Sequence, residues 1–320
     1  MTENIRAFAK RGHSMFLADR WSDFELMYAG DGEKYERWGD VFLQRPDPQA
    51  IWPKTDVPED SPPVYWPKPH GLYHRSETGG GYWSTERAFP SKWKISYPAV
   101  GGKLTFIIEP TGFKHTGLFP EQAANWDFCG GLIRDAAAAG QSPRILNLFA
   151  YTGGATLACA AAGAGEVVHV DASKGMITRA KENVVASGLS DRHIRFMAED
   201  CNRFVEREIR RGRTYDGIIM DPPAYGRGPS GELWKLEDAL FPLVKKCAAL
   251  LSDDPLFFIV NSYTTGLSAL VLENVLRLAV RPLHGGQATS DELGLAASNM
   301  DLILPCGAVG RWTPDSVKRG

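Results

Sequence analysis

From residue 140 onward the chain alternates short apolar runs with longer amphipathic ones. The runs RILNLFA (144–150), EVVHVDA (166–172), IRFMAED (194–200), YDGIIMDPP (215–223) and LFFIVNS (256–262) have the length and apolarity of strands buried on both faces. Between them lie GATLACAAAGA (154–164), KGMITRAKENVVASG (174–188), CNRFVEREIRRG (201–212) and WKLEDALFPLVKKCAALL (234–251), whose length and spacing predict helices. A further helix is predicted over 121–139, ending at Gly140, and another over 269–280. Strands regularly separated by helices imply right-handed crossovers and a mostly parallel α/β sheet with helices on both faces. The last two runs, 286–296 and 301–312, read as an antiparallel pair closing one edge.

The first third of the chain has a different texture. Six of the nine tryptophans precede residue 95, and WSDFELMYA (21–29), VFLQR (41–45) and KWKISYP (92–98) alternate between Gly- and Pro-rich turns. This predicts a small β-rich domain over 1–110 that holds the substrate, ahead of a ligand-binding domain over 111–320. Residues 51–71 are too proline-dense for a helix or central strand and read as an extended loop.

Composition then narrows the possibilities. A net charge of −2 and a pI of about 6.4 give no global basic field, so charge neither demands nor excludes a nucleic acid partner. Cys129, Cys159, Cys201, Cys247 and Cys306 are odd in number and at least 30 residues apart, which fits neither a disulfide framework nor a metal-binding spacing. The charged first residues do not resemble a signal peptide, and no run approaches the roughly 20 apolar residues of a membrane helix. These features predict a cytoplasmic protein with no membrane association.

Candidate chemistry sits at the carboxyl ends of successive strands, where open α/β sheets bind ligands. The first strand runs into Asn147-Leu-Phe149-Ala-Tyr151-Thr-Gly153-Gly154, a cradle in which adjacent glycines let a ligand lie against bare backbone. The second ends at Asp171, from which a carboxylate can accept both hydroxyls of a ribose. The third ends in Glu199-Asp200-Cys201, where the acid can take an adenine amino group or simply cap the next helix. The fourth runs into Asp221-Pro222-Pro223-Ala-Tyr225, a rigid turn that fixes a carboxylate and carbonyls at the strand end, with Tyr225 available to stack on a base.

In this arrangement the motifs resemble motifs one to four of the Rossmann-like S-adenosylmethionine-dependent methyltransferases. The closing hairpin is similar to the one that separates those enzymes from NAD-binding domains. The segment from Phe113 to Gln122 further resembles the upstream motif of bacterial methyltransferases of 23S ribosomal RNA that carry a Phe-x-Tyr-Thr-Gly-Gly loop, and the likeness spans about residues 104–312. The resemblance implies a seven-stranded Rossmann-like sheet, S-adenosylmethionine as cofactor and ribosomal RNA as partner. It implies a pocket lined by Lys114, Thr116, Phe119, Gln122, Asn147, Phe149, Tyr151, Gly153 and Gly154. Asp171 with Ala172 and Ser173 would hold the ribose, and Asp200 with Cys201 and Asp221 would complete the set.

The catalytic part departs from the family. Members that methylate carbon 5 of cytosine carry a cysteine after the fifth strand, where this chain reads Asn261-Ser-Tyr-Thr. That argues for direct transfer to a base nitrogen or oxygen, with Asp221, Tyr225 and Asn261 as candidates to receive or relay the proton and Pro222 fixing their geometry. Alternatives are a cofactor-retaining RNA-binding protein without turnover and a methyltransferase of a protein or small molecule. A nicotinamide-dependent oxidoreductase fits less well, because the loop is not G-x-G-x-x-G and Asp-Pro-Pro has no role in hydride transfer.

Two basic features have bland readings beside functional ones. Lys54, Lys68, Lys92 and Lys94 interleave with Trp52, Trp66, Trp83 and Trp93, as in an RNA-stacking surface or a tryptophan-rich core with solvated lysines. Arg203, Arg207, Arg210 and Arg211 share a helix face that meets either phosphates or water.

Overall fold

A computed structural model of the protein describes residues 15–54, 66–76, 80–112, 114–227, 233–264 and 266–317. The first residues, most of the proline-rich loop, Phe113, much of the segment after Tyr225 and Thr265 lie outside the described residues. The chain divides into two units. The first takes residues up to 98 with 105–121 and 294–306, and the second takes 99–104, 122–293 and the chain from 307.

The first unit contains β1 (Phe16–Leu17), β2 (Phe24–Gly30), β3 (Glu33–Trp38), β4 (Val41–Pro46), β5 (Gly71–Arg75) and β6 (Gly81–Thr85). Strands β2 to β6 form a five-stranded sheet in sequence order, antiparallel except for the β4–β5 pair. Asp31 and Gly32 both take positive φ between β2 and β3, the two-residue turn whose twist matches flanking strands. Strands β7 (Trp93–Ala99) and β8 (Gly102–Ile108) form a separate hairpin that buries Ile95, Tyr97, Leu104 and Phe106.

Three tryptophans of this unit are tied into its framework. Trp52, Trp83 and Trp93 donate their indole N–H groups to the carbonyls of Ala29, Thr111 and Trp38 at 2.7, 2.8 and 2.9 Å. Lys54, Lys68 and Lys92 pair with Glu33, Glu86 and Glu109. Arg45 forks onto the buried Glu36 at 2.7 and 2.8 Å. Burial pushes the Glu36 carboxyl up, but Arg45 and Lys34 outweigh it and hold it below the ordinary value.

The second unit follows the predicted alternation. Helix α1 (Ala123–Ala138) is preceded by a 3₁₀ turn over Pro120–Gln122, so the helix begins two residues later than its sequence pattern suggests. Then come β9 (Arg144–Leu148), α2 (Gly154–Ala161), β10 (Glu166–Asp171), α3 (Lys174–Ala186), β11 (Ile194–Ala198), α4 (Cys201–Arg210) and β12 (Gly217–Met220). A small hairpin, β13 (Tyr225–Arg227) with β14 (Leu233–Lys235), precedes α5 (Leu236–Ala248). Trp234 and Lys235, expected in the helix, belong to this hairpin, and the helix starts where the Leu236 N–H bonds to the Ala224 carbonyl. The chain ends with β15 (Phe257–Ser262), α6 (Ala269–Ala279), α7 (Arg281–His284), β16 (Gln287–Ala296) and β17 (Ile303–Thr313).

The main sheet has the order β16-β17-β15-β12-β9-β10-β11, parallel from β15 to β11 and with β17 antiparallel to β15. This is the expected Rossmann-like sheet with its closing hairpin. Among the described residues it has eight strands rather than seven, because β1 pairs beside β16, where Ala18 donates to the Gly294 carbonyl. The parallel register sets Leu148 beside Val170 and Met220, Asp171 beside Ala198, and Met220 beside Val260. Every chain segment leaving these strands therefore emerges along one edge. No helix among the described residues is long and apolar enough to cross a membrane.

Candidate cofactor site

The loop after β9 is held in an unusual backbone conformation. Phe149 and Tyr151, neither of them glycine, take φ of 55° and 50°, and Gly153 takes 90°. A left-handed non-glycine residue costs on the order of 1–3 kcal/mol and persists only where its surroundings enforce it. Two hydrogen bonds do so here: Phe149 N–H to Cys201 Sγ at 3.3 Å and Tyr151 N–H to Asp171 Oδ2 at 2.9 Å.

Asp171 is thus both a loop anchor and an acceptor facing the strand edge. Its Oδ1 takes the Ser173 N–H at 2.8 Å, so each carboxylate oxygen receives one backbone donor and keeps capacity for another. Burial raises its pKa above the ordinary value, and the N–H groups of Ser173 and Tyr151 offset this only in part. Ser173 caps α3 by accepting the Met176 N–H, and Ala172 beside it is exposed.

The two glycines have different physical reasons. Gly153 needs its positive φ, whereas a Cβ on Gly154 would stand 2.5 Å from Trp126 Cζ2. Gly154 therefore serves the packing of α2 on α1. Asn147 also turns inward. It is buried and donates to Thr156 Oγ1 at 2.9 Å, and Thr156 meets His169 Nδ1 at 2.9 Å. Burial lowers the His169 pKa to about 3, so the ring is neutral and the chain of bonds is a core network.

Asp200 caps α4 through Oδ1, which accepts the Arg203 N–H at 3.0 Å. Cys201 is buried, and that burial pushes its thiol well above the ordinary value. Of the arginines on this helix, Arg207 is paired with Glu199 and Arg211 with Glu208.

At the fourth strand, Pro222 is buried and the Pro223 carbonyl accepts the Trp234 indole N–H at 2.6 Å. Trp234 also packs against Phe149, with ring centroids 5.3 Å apart, which links the first and fourth motifs. Tyr225 is 58% exposed. The end of β15 joins a buried network that the sequence did not reveal. Asn261 accepts from Asn125 at 2.9 Å, Asn125 also donates to Gln122, and Gln122 donates to the Tyr263 hydroxyl at 2.8 Å. Arg311 donates twice to Asn125 at 2.7 and 3.0 Å. Gln122 and Asn261 were legible as candidates, but Asn125, Trp126, Trp234 and Arg311 carry no local motif.

Lys114, Thr116 and Phe119 lie in the first unit. Burial, then the charge of Lys34, lowers the Lys114 pKa, and the Thr116 hydroxyl is buried without a hydrogen-bonding partner among the described residues. Phe119 packs against His115, whose pKa burial lowers to about 4.

The family model for S-adenosylmethionine-dependent methyltransferases matches residues 94–280, more than half of the chain. The chain belongs to the S-adenosylmethionine-dependent methyltransferase family. A solved methyltransferase of this family from Agrobacterium tumefaciens is 34% identical, covers 95% of this chain with 94% of its own, and superposes with a TM-score of 0.84. Among curated relatives, the ribosomal RNA large subunit methyltransferase K/L of Magnetococcus marinus is 29% identical over 59% of this chain. Methyltransferase I of Aeromonas hydrophila is 28% identical over 65%. The chain spans only 24% and 47% of those two relatives.

The cofactor of the family is S-adenosylmethionine, and the site suits it. A carboxylate with spare acceptor capacity stands at the second strand end, beside a loop whose strained backbone is enforced by that same carboxylate.

Proposed function

We propose that this cytoplasmic protein methylates a base of RNA, ribosomal RNA first among candidates, by direct transfer to a base nitrogen. The RNA reading is supported by the curated relatives, which are named as ribosomal RNA methyltransferases. Direct transfer is supported by the end of β15, which carries Asn261, Ser262 and Tyr263 where covalent catalysis needs a thiolate. The thiols of Cys159, Cys201, Cys247 and Cys306 are all pushed up, chiefly by burial or, for Cys159, first by its contact with Cys129. Such thiols are poor nucleophiles.

The bound cofactor supplies an activated methyl group on a sulfonium, so the protein has to bind, orient and manage one proton. Asp171 accepts the ribose hydroxyls, and the adenine amino group falls to Asp200 Oδ2, since Oδ1 caps the helix. Gln122, Phe149, Tyr151 and Gly153 line the same edge. The Asp221 carboxylate and the carbonyls of a turn that lacks two N–H donors accept the exocyclic and ring N–H groups of the base, with Tyr225 stacking on it. Asn261 has both amide ends engaged inside the protein, so it positions its neighbours rather than accepting the proton. In this reading the first unit binds substrate.

The test is incubation with tritiated S-adenosylmethionine and, separately, ribosomal RNA, transfer RNA and protein extract from cells lacking the protein. Label in one RNA nucleoside is expected and names the acceptor atom. Cofactor binding with label only in protein or a metabolite would overturn the RNA reading.

A further inference from the structure

Arg311 and Asn261 lie on neighbouring antiparallel strands, two residues apart in register, since Arg311 pairs with Ile259 and Val309 pairs with Asn261. Residues two apart on a strand share a face, so both side chains point to the side on which α1 carries Asn125. Arg311 is 7% exposed, its guanidinium lies 4.5 Å over the Phe128 ring, and it donates to the Ala124 carbonyl at 3.1 Å as well as to Asn125. Burial lowers its pKa to about 10, which leaves it charged at neutral pH.

The Asn125 amide uses all of its hydrogen-bonding capacity. Its oxygen accepts two bonds from Arg311, and its nitrogen donates to Gln122 Oε1 at 3.0 Å and to Asn261 Oδ1 at 2.9 Å. A guanidinium can only donate, so the atom of Asn125 that faces Arg311 has to be the oxygen. That choice propagates. The Asn125 nitrogen then faces the oxygens of Gln122 and Asn261, whose own nitrogens are turned onward. Asn261 directs its nitrogen to the Met220 carbonyl, 3.5 Å away, immediately before Asp221. Gln122 donates to the Tyr263 hydroxyl, so the Tyr263 oxygen is an acceptor there and its proton points away from Gln122. The Tyr263 ring is set against the strand that carries Arg311, because a Cβ on Gly307 would come within 3.0 Å of it.

We infer that Arg311 is a positioning residue for methyl transfer: acting through Asn125, it sets the amide orientations of Asn261 and Gln122, and through them the Met220 carbonyl at the root of the Asp-Pro-Pro turn and the hydroxyl of Tyr263. The inference rests on the reading of that turn as the substrate-facing element. It assigns a role in transfer to a residue with no place in any of the sequence motifs. Buried polar networks of this kind act over a distance because each member has only one orientation that satisfies its neighbours.

The experiment compares Arg311→Lys, Arg311→Met and Arg311→Gln by initial rates on the RNA fraction that takes label, with cofactor affinity measured separately by calorimetry. Lysine also only donates, and should keep kcat within about threefold, while methionine and glutamine should lower kcat about tenfold or more with cofactor Kd changed less than about threefold. Glutamine is the informative case, since its amide fills similar space but permits the reversed orientation. A role confined to stability would instead rank the variants by melting temperature and leave kcat per folded molecule alone.

Wild-type kcat in folded methionine or glutamine variants would overturn the inference, as would a lysine variant as impaired as methionine. If the Arg311 variants fail to fold, Asn261→Asp takes their place. Its carboxylate still accepts from Asn125 but no longer donates to Met220, so kcat should fall with cofactor affinity retained, and wild-type turnover would count against the relay. Label in RNA with unaffected variants removes this inference alone, whereas absence of label in every fraction removes it together with the functional reading beneath it.

Discussion

Asp171 Oδ2 accepts the backbone N–H of Tyr151 at 2.9 Å, across twenty residues of sequence and from one strand end to the next. The residue proposed to hold the ribose therefore also holds the loop proposed to receive the rest of the cofactor. Asp171→Ala should raise the cofactor Kd by more than the loss of two ribose bonds alone, about 100-fold if each charge-assisted bond contributes about 1.5 kcal/mol. Asp171→Asn keeps an acceptor and should lose less. Calorimetric titration with S-adenosylhomocysteine checks both, and an alanine variant that binds as wild type would remove Asp171 from the site.

The same carboxylate should make cofactor affinity depend on pH. Burial raises its folded-state pKa above the ordinary value of about 3.9, so in the free protein its contribution to stability is fully present below the unfolded pKa and is lost as pH rises through the folded one. Ribose hydroxyls favour the ionised form and work against that loss. Cofactor binding should accordingly strengthen as pH rises through the window just above the ordinary carboxylate range, with proton release there. Titrations in buffers of different ionisation enthalpy read the released proton. A flat profile, or one that survives in Asp171→Asn, would show that another group is responsible.

A different kind of prediction follows from Gly154. The would-be Cβ contact with Trp126 predicts that Gly154→Ala destabilises the fold by about 1–3 kcal/mol, the usual cost of overpacking. Trp126→Phe removes the clashing atom, so the double variant should be more stable than the two single effects added together. Urea unfolding of the four proteins measures the coupling. Additive effects would place the strain elsewhere.

What could be read from the sequence divides along physical lines. The strand-end residues Asp171, Asp200 and Asp221 were legible because a parallel sheet brings consecutive carboxyl ends to one edge whatever the details of packing. The helix-cap alternative for Asp200 was legible for a similar reason, since a cap depends only on the next three residues. Asn147 and Gly154 were found as motif members, but their partners Thr156 and Trp126 are set by packing that a strand-end pattern does not encode. Arg311 is the extreme case. Its bond to Asn125 spans 186 residues, and an arginine in a late strand reads as solvent-facing unless that distant partner is known. In the first unit, β5 and β6 were hidden because both begin at glycine and lack a continuous apolar run.

The Asp221 turn offers the most direct test of chemistry as distinct from binding. It is held from within by the buried Pro222, from one side by Trp234 on the Pro223 carbonyl, and from the other by Asn261 on the Met220 carbonyl. These contacts run through Pro222 and two backbone carbonyls. Asp221→Ala should therefore lower methyl transfer by about 100-fold or more, the scale of a lost proton-accepting or orienting group, while cofactor binding stays within a few-fold. Asp221→Asn retains an acceptor oxygen without the charge. If the carboxylate mainly orients the base, this variant keeps much of kcat, and if it mainly takes up the proton, it behaves like alanine. Single-turnover rates with the labelled RNA separate these outcomes, and unchanged turnover in the alanine variant would mean that the turn does not face the reacting base.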